Sequence, residues 1–372
     1  MNPESTPRDG GPTPPVSSNR PASWTGSRKW LARTLLLGVS LGIVALICEI
    51  TVRLVCAPYI MPRFVENAPY GIRRPLPNVR GFLVTPQYRH RMSTNSKGFR
   101  GTREYALPKP PGVFRMVVLG DSVVNGYGVE DDETFCAVLE RKLSKLRQTE
   151  VLNLGVPGFG NAEELIQLEN VGLEQQPDMV VLGYFVNDHF ENLTCGLYSL
   201  QEGKLVRNPN VSEPAVRLRD RISGLPGYNF LCQHSYLVNY ARQKASDFFR
   251  GQLAEKHTLG LAAYTSNKPS EAQIQLSSAL VDEIIRVCQE RQIPILILNI
   301  PMEIQGAWMQ NMVPDSLQRK EAARIIDVAK EIWNTEDIHK IATPGSYHPK
   351  PRGHELIADW LSDYVQKEVW KK

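Results

Sequence analysis

Four short stretches of this 372-residue chain carry residue types able to break an ester, and three of them follow an apolar, strand-like run. In "GDSVVNG", Ser122 comes directly after "FRMVVL". A serine hydroxyl is a weak nucleophile and needs a base within hydrogen-bond reach. Its attack on an acyl carbonyl also needs donors for the developing oxyanion, each typically worth about two to three orders of magnitude in rate. Gly158, in the glycine-rich "NLGVPGFGN" (153–161), can bring a backbone N–H close to a ligand, and Asn187 in "FVND" (185–188) offers a side-chain amide. "HPKPRGH" (348–354) supplies two candidate bases, His348 and His354. Taken singly, each stretch has a bland reading: a polar turn, a strand-to-helix turn, a capping pair, a histidine near a helix start. Together and in this order, they point to acyl transfer through a serine.

Other chemistries find little support. A nucleophile elbow reads Gly-x-Ser-x-Gly, whereas Ser122 is followed by Val-Val-Asn. The chain has no Walker loop, and "GYGVED" and "GVPGFG" fall short of a dinucleotide fingerprint. The six cysteines are scattered without zinc-site spacing, so neither a metal nor another cofactor is expected. Cys195 and Cys232 share a loop-rich region and could pair in an oxidising compartment, although free thiols are the preferred reading for all six. Net charge is +4, with much of the excess in Arg20, Arg28, Lys29 and Arg33; the near-balanced remainder argues against a nucleic-acid surface.

The elements that must position these residues alternate strand and helix from residue 113 onward. "FRMVVLG" (114–120), "EVLNLGV" (150–156), "DMVVLGYFV" (178–186) and "IPILILNIP" (293–301) are short apolar runs that read as strands. Helices are expected over 131–146, over 161–174 with Asn161 as N-cap, over 271–291, at about 320–334 and over 352–368. "HKIA" (339–342) reads as a short strand. Such alternation implies a parallel sheet covered on both faces, whose reactive groups gather at the carboxyl ends of the strands. Residues 191–270 have weak periodicity and are read as an insertion.

The set "GDS", "NLGVPG", "ND" and "HPKPRGH" resembles the SGNH (GDSL-type) hydrolase superfamily of serine esterases and acyl transferases. The likeness covers roughly residues 95–368, and "NSKGFRG" (95–101) and "GYGVEDDETFCAVLE" (126–140) resemble membrane-anchored bacterial members. It implies a three-layer α/β/α sandwich around a mainly parallel five-stranded sheet. Position by position, it implies Ser122 as nucleophile and His348, directly before Pro349, as general base and acid. The oxyanion hole would be the Ser122 N–H, Gly158 and Asn187, with Asp121 holding the serine loop. Two departures stand out. Phe185 replaces the glycine of Gly-x-Asn-Asp, and Gly345 occupies the position three before the base where the superfamily usually has Asp. A backbone carbonyl could orient the imidazole instead, a distant acid such as Glu303 could reach it, or activity could be weak or lost.

Upstream, residues 1–29 form a Pro-, Ser- and Gly-rich leader that should be disordered. Apolar character then extends over about 20 residues from Leu35, enough to span a bilayer. Arg28, Lys29 and Arg33 favour keeping its N-terminal flank in the cytoplasm. Pro58 after "VCA" (55–57) is a poor context for cleavage. The expectation is therefore an uncleaved signal anchor over 30–57, a proline-rich connector over 58–111 that partly packs on the domain, and an extracytoplasmic domain over 112–372. The function expected is a single-pass membrane-anchored serine esterase or O-acyl transferase acting on an exported glycan, lipid or small ester. The competing readings are a catalytically impaired scaffold on the same fold and a cytosolic hydrolase with an interaction helix.

Overall fold

The structure is a computed structural model that describes residues 26–56, 63–84, 88–185, 187–208, 221–222, 225–245, 269–304, 307–308, 323–342 and 348–371. It divides into two compact units, residues 1–51 and 52–372. In the first, one helix starts at Gly26 and runs on to Val55, 30 residues with no buried side chain. Its mean hydropathy reaches 2.4 over 18 residues, so by length and composition it can cross a membrane or serve as a signal sequence.

The second unit is built on five parallel strands: β1 (Phe114–Leu119), β2 (Thr149–Asn153), β3 (Met179–Tyr184), β4 (Ile295–Asn299) and β5 (Arg324–Asp327). Their order is β5-β4-β3-β1-β2. Every residue of β1 to β4 is buried, as apolar runs covered on both faces require. Two helix groups cover the sheet. Phe135–Leu143 packs against Pro351–Tyr364, and Asn161–Gln167, Asp188–Cys195 and Glu271–Gln289 pack among themselves. The result is the three-layer α/β/α arrangement expected from the sequence.

Cross-strand register aligns the strand ends that matter. Leu119 of β1 pairs with Leu182 of β3, and Val118 pairs with Asn153 of β2. The loops that follow these strands therefore leave the same edge of the sheet side by side. Val124, in the one-turn helix Ser122–Asn125, wedges between them and is fully buried. A Cβ on Gly120 would lie 2.2 Å from a Val124 methyl, and one on Gly183 2.4 Å. The glycines ending β1 and lining β3 are what admit this wedge.

Several local expectations are corrected. The helix expected at about 320–334 begins as the edge strand β5, where Ile325 and Ile326 pair with β4, and only Val328–Ile332 is helical. Pairing with an existing sheet edge overrides the helical preference of the flanking residues. The strand expected at 339–342 is the helical turn Ile338–Ile341, because the Asp337 side chain caps it by accepting the His339 N–H at 3.0 Å. The cap of the helix Asn161–Gln167 is Gly160 rather than Asn161, and the element changes from α to π geometry at Leu168. The described residues of 63–111 include two antiparallel strand pairs, and Ala68, Ile72, Phe99 and Tyr105 pack into the same core as the sheet. Cys195 and Cys232 are thiols rather than disulfide partners, the reading preferred from the sequence.

Candidate active site

Ser122 sits three residues beyond the end of β1, at the start of its one-turn helix. Asp121 caps that turn by accepting the Val123 N–H at 2.8 Å, and its second oxygen lies 3.3 Å from Ser122 Oγ. Burial raises the Asp121 carboxyl to about 6, against the lowering effect of the backbone N–H groups it accepts. The Tyr127 N–H closes the loop by donating to the Ser122 carbonyl at 3.0 Å.

His348, from the segment before the last helix, places Nε2 2.8 Å from Ser122 Oγ. Desolvation lowers the ring to about 4, so near neutral pH Nε2 can receive the hydroxyl proton. The ring stands between two tyrosines, with the Tyr127 centroid at 5.4 Å and the Tyr88 ring edge-on at 6.1 Å. His354, the other candidate base, is turned away and fully buried. Its Nδ1 accepts the Phe135 N–H at 3.2 Å, and its ring stacks on Phe135.

The two remaining positions lie on neighbouring loops. Gly158 adopts φ +74°, a left-handed conformation that disfavours other residues. Its carbonyl is held at 2.9 Å by the Arg73 guanidinium, which also donates to Pro157 O at 3.3 Å. Asn187 caps the helix Asp188–Cys195 through its carbonyl. Its Nδ2 contacts Phe159 O only loosely, at 3.5 Å, and so remains free to turn toward a ligand. Asp188 fastens this loop from behind by accepting the Phe185 N–H at 3.0 Å and the Asn161 Nδ2 at 3.1 Å. Phe185 at the expected glycine position is accommodated by burial. Gly345 lies outside the described residues, as does the side chain of Glu303.

Sequence reasoning missed two contributors, Arg73 and Tyr88, because both come from the proline-rich stretch before the sheet. Arg73 steadies the Gly158 loop, and the Tyr88 hydroxyl lies 3.3 Å from His348 Nδ1. A signal was present for Tyr88. In "YRHRM" (88–92), Tyr88, His90 and Met92 alternate with exposed arginines, the period of a strand with one buried face. Among the described residues no group of acidic, histidine or cysteine side chains is arranged to hold a metal. The arrangement is one in which a hydroxyl can lose its proton to an uncharged imidazole while nearby loops offer donors.

The chain is similar to several known structures at low identity. The chain matches a lipase/acylhydrolase from Enterococcus faecalis at 13% identity and TM-score 0.39, over 68% of this chain and 95% of that one. It matches an acetylxylan esterase from Geobacillus stearothermophilus at 12% and 0.40, over 68% and 95%. A two-domain esterase active on acetylated mannans matches at 12% and 0.39 over 68% of this chain, which spans about half (49%) of that protein's length. No curated protein sequence matches the chain. The family model described as GDSL-like Lipase/Acylhydrolase matches residues 118–356, which reach from the strand before Ser122 past His348. By that match the chain belongs to the GDSL-like lipase/acylhydrolase family of carboxylic ester hydrolases.

Proposed function

We propose that the protein is a membrane-anchored serine esterase or O-acyl transferase that works through a Ser122 acyl-enzyme. The observation that carries this reading is the 2.8 Å contact between Ser122 Oγ and His348 Nε2. In the first half-reaction the hydroxyl proton passes to Nε2 as Oγ bonds to the acyl carbon. The carbonyl electron pair moves onto oxygen, which accepts hydrogen bonds from the Ser122 and Gly158 N–H groups and Asn187 Nδ2. As the tetrahedral adduct collapses, His348 returns the proton to the departing alcohol oxygen. The acyl group then leaves Ser122 by the reverse sequence, with water or an acceptor hydroxyl deprotonated by the same imidazole. Asp121 holds the serine turn and touches no substrate.

The apolar helix Gly26–Val55 and the basic residues at its start favour a single-pass anchor with the catalytic unit outside the cytoplasm. The substrate class proposed is an exported acylated glycan, lipid or small ester. Purified full-length protein in detergent should hydrolyse p-nitrophenyl acetate and label with a fluorophosphonate, and Ser122→Ala should lose both. Absence of both from the wild type, with acetylated glycans and acceptor sugars also tried, would overturn the enzymatic reading in favour of a scaffold. Release from membranes by high salt alone would overturn the anchor.

A further inference from the structure

We infer that Tyr88 is the positioning residue of His348, its phenolic oxygen taking the hydrogen bond of the imidazole Nδ1–H. The inference rests on the proposed Ser122–His348 reading. When Nε2 receives a proton from Ser122, the neutral ring must carry its own hydrogen on Nδ1. That N–H needs an acceptor, or the other tautomer competes and presents a donor to the serine. The oxygen found there is Tyr88 Oη, at 3.3 Å. This is the long end of the hydrogen-bond range, common before substrate tightens a site.

Tyr88 is placed by a network rather than by its own strand alone. It packs against the small cluster of Phe64, Leu83 and Met92, together with Tyr127. Downstream, the hairpin is fastened to the loop that follows the nucleophile. The Arg91 N–H donates to Glu130 at 3.1 Å, the Ser93 N–H to Asp131 at 3.0 Å, and the Gly128 N–H to His90 Nδ1 at 3.3 Å. Buried Arg100 spans both sides: it pairs with Asp131 at 3.1 Å and donates to the carbonyls of Arg91 and Val129. The phenol is thus held relative to residues 127–131, which are continuous with the Ser122 turn.

The chemistry differs from that of a carboxylate in one respect. A neutral oxygen selects the tautomer and the ring orientation, but it supplies no full negative charge to the imidazolium that forms during the reaction. Consistent with this, burial lowers the proton affinity of His348, and no carboxylate among the described residues raises it. Gly345 in the sequence, where the superfamily usually has Asp, supplies no carboxylate of its own. The phenol therefore contributes one charge-assisted hydrogen bond in the transition state, a smaller effect than that of a buried carboxylate.

The test is Tyr88→Phe in the full-length protein, read by kcat and KM for p-nitrophenyl acetate and by 15N NMR of labelled histidines, with His348→Asn assigning the His348 signals. The expected result is a fall in kcat of about 10- to 100-fold at nearly unchanged KM, the range of one hydrogen bond to a charged group. His348 should move from the Nδ1–H tautomer to a mixture of both. Wild-type kcat with an unchanged tautomer overturns the inference. So does a raised KM at unchanged kcat, which would make Tyr88 a substrate contact. If the wild type proves inactive, the proposed function fails by itself, and the tautomer measurement still decides the role of Tyr88.

Discussion

Acid should weaken this fold at three buried histidines, and His354 provides the cleanest test. Burial lowers His354 and His90 to about 3 and His348 to about 4, from 6.5 in an exposed ring. Between the two values only the unfolded chain takes the proton. The stability held in the neutral ring is therefore fully present above pH 6.5 and lost as pH falls toward the folded value. At about pH 4.5, each of the three costs the folded state roughly 2.5 kcal/mol. Buried carboxyls act in the opposite sense: Asp121, raised to about 6, returns about 2 kcal/mol as pH falls from 7 to 4.5, and burial raises Glu140, Glu164 and Asp188 as well. Geometry gives the same sign for His354. Its Nδ1 accepts from the Phe135 N–H at the start of a helix, so protonation would break that bond and set a cation at the positive end of the helix. His354→Asn keeps an acceptor but cannot titrate. Urea unfolding followed by tryptophan fluorescence, at several values from about pH 7.5 to 4.5, should show the gap between wild type and variant narrowing by about 2.5 kcal/mol. A gap constant across that range would refute the reasoning.

Two further outcomes follow from packing. Arg115 on β1 is fully buried, bonded to Glu150 at 2.7 Å and to the carbonyls of Gln175 and Ala106. Arg115→Met should cost about 3–5 kcal/mol in urea unfolding, because it leaves the Glu150 charge buried without its partner; a loss below about 1 kcal/mol contradicts this. A Cβ on Gly155 would lie 2.4 Å from the Asn125 backbone nitrogen, at the end of the turn carrying Ser122. Gly155→Ala should therefore lower kcat for p-nitrophenyl acetate more than it changes KM, with a stability cost of about 1–3 kcal/mol, and unaltered kinetics would count against that coupling.

The strand runs of the sheet were legible because they are continuous and apolar, and three of the four chemical stretches follow one of them. β1 to β4 needed only the textures of "FRMVVL", "EVLN", "MVVLGY" and "ILILN". β5 was not legible. Its four residues gain strand geometry from pairing with Leu296–Asn299, a contact that local propensity does not record. The candidate site was legible in part for the same reason. Ser122, Gly158 and Asn187 are placed by the ends of buried strands, and His348 by the start of the last helix. Arg73 and Tyr88 act through contacts 85 and 260 residues away, and their own stretch looks like a proline-rich spacer. Long-range pairing, rather than weak chemistry, hid them.

The same separations bear on how the protein is made. Ser122 and His348 stand 226 residues apart, with the histidine close to the C-terminal end of the sequence. At translation rates of about 5–20 residues per second, the serine leaves the ribosome roughly 10 to 45 seconds before its base. Arg73, Tyr88, the nucleophile turn and the Gly158 and Asn187 loops are all synthesised within that earlier stretch. On the proposed reading, the nascent chain holds the serine and its oxyanion donors before it holds a proton acceptor. On that reading, fragments cut short before His348 should be inert toward esters.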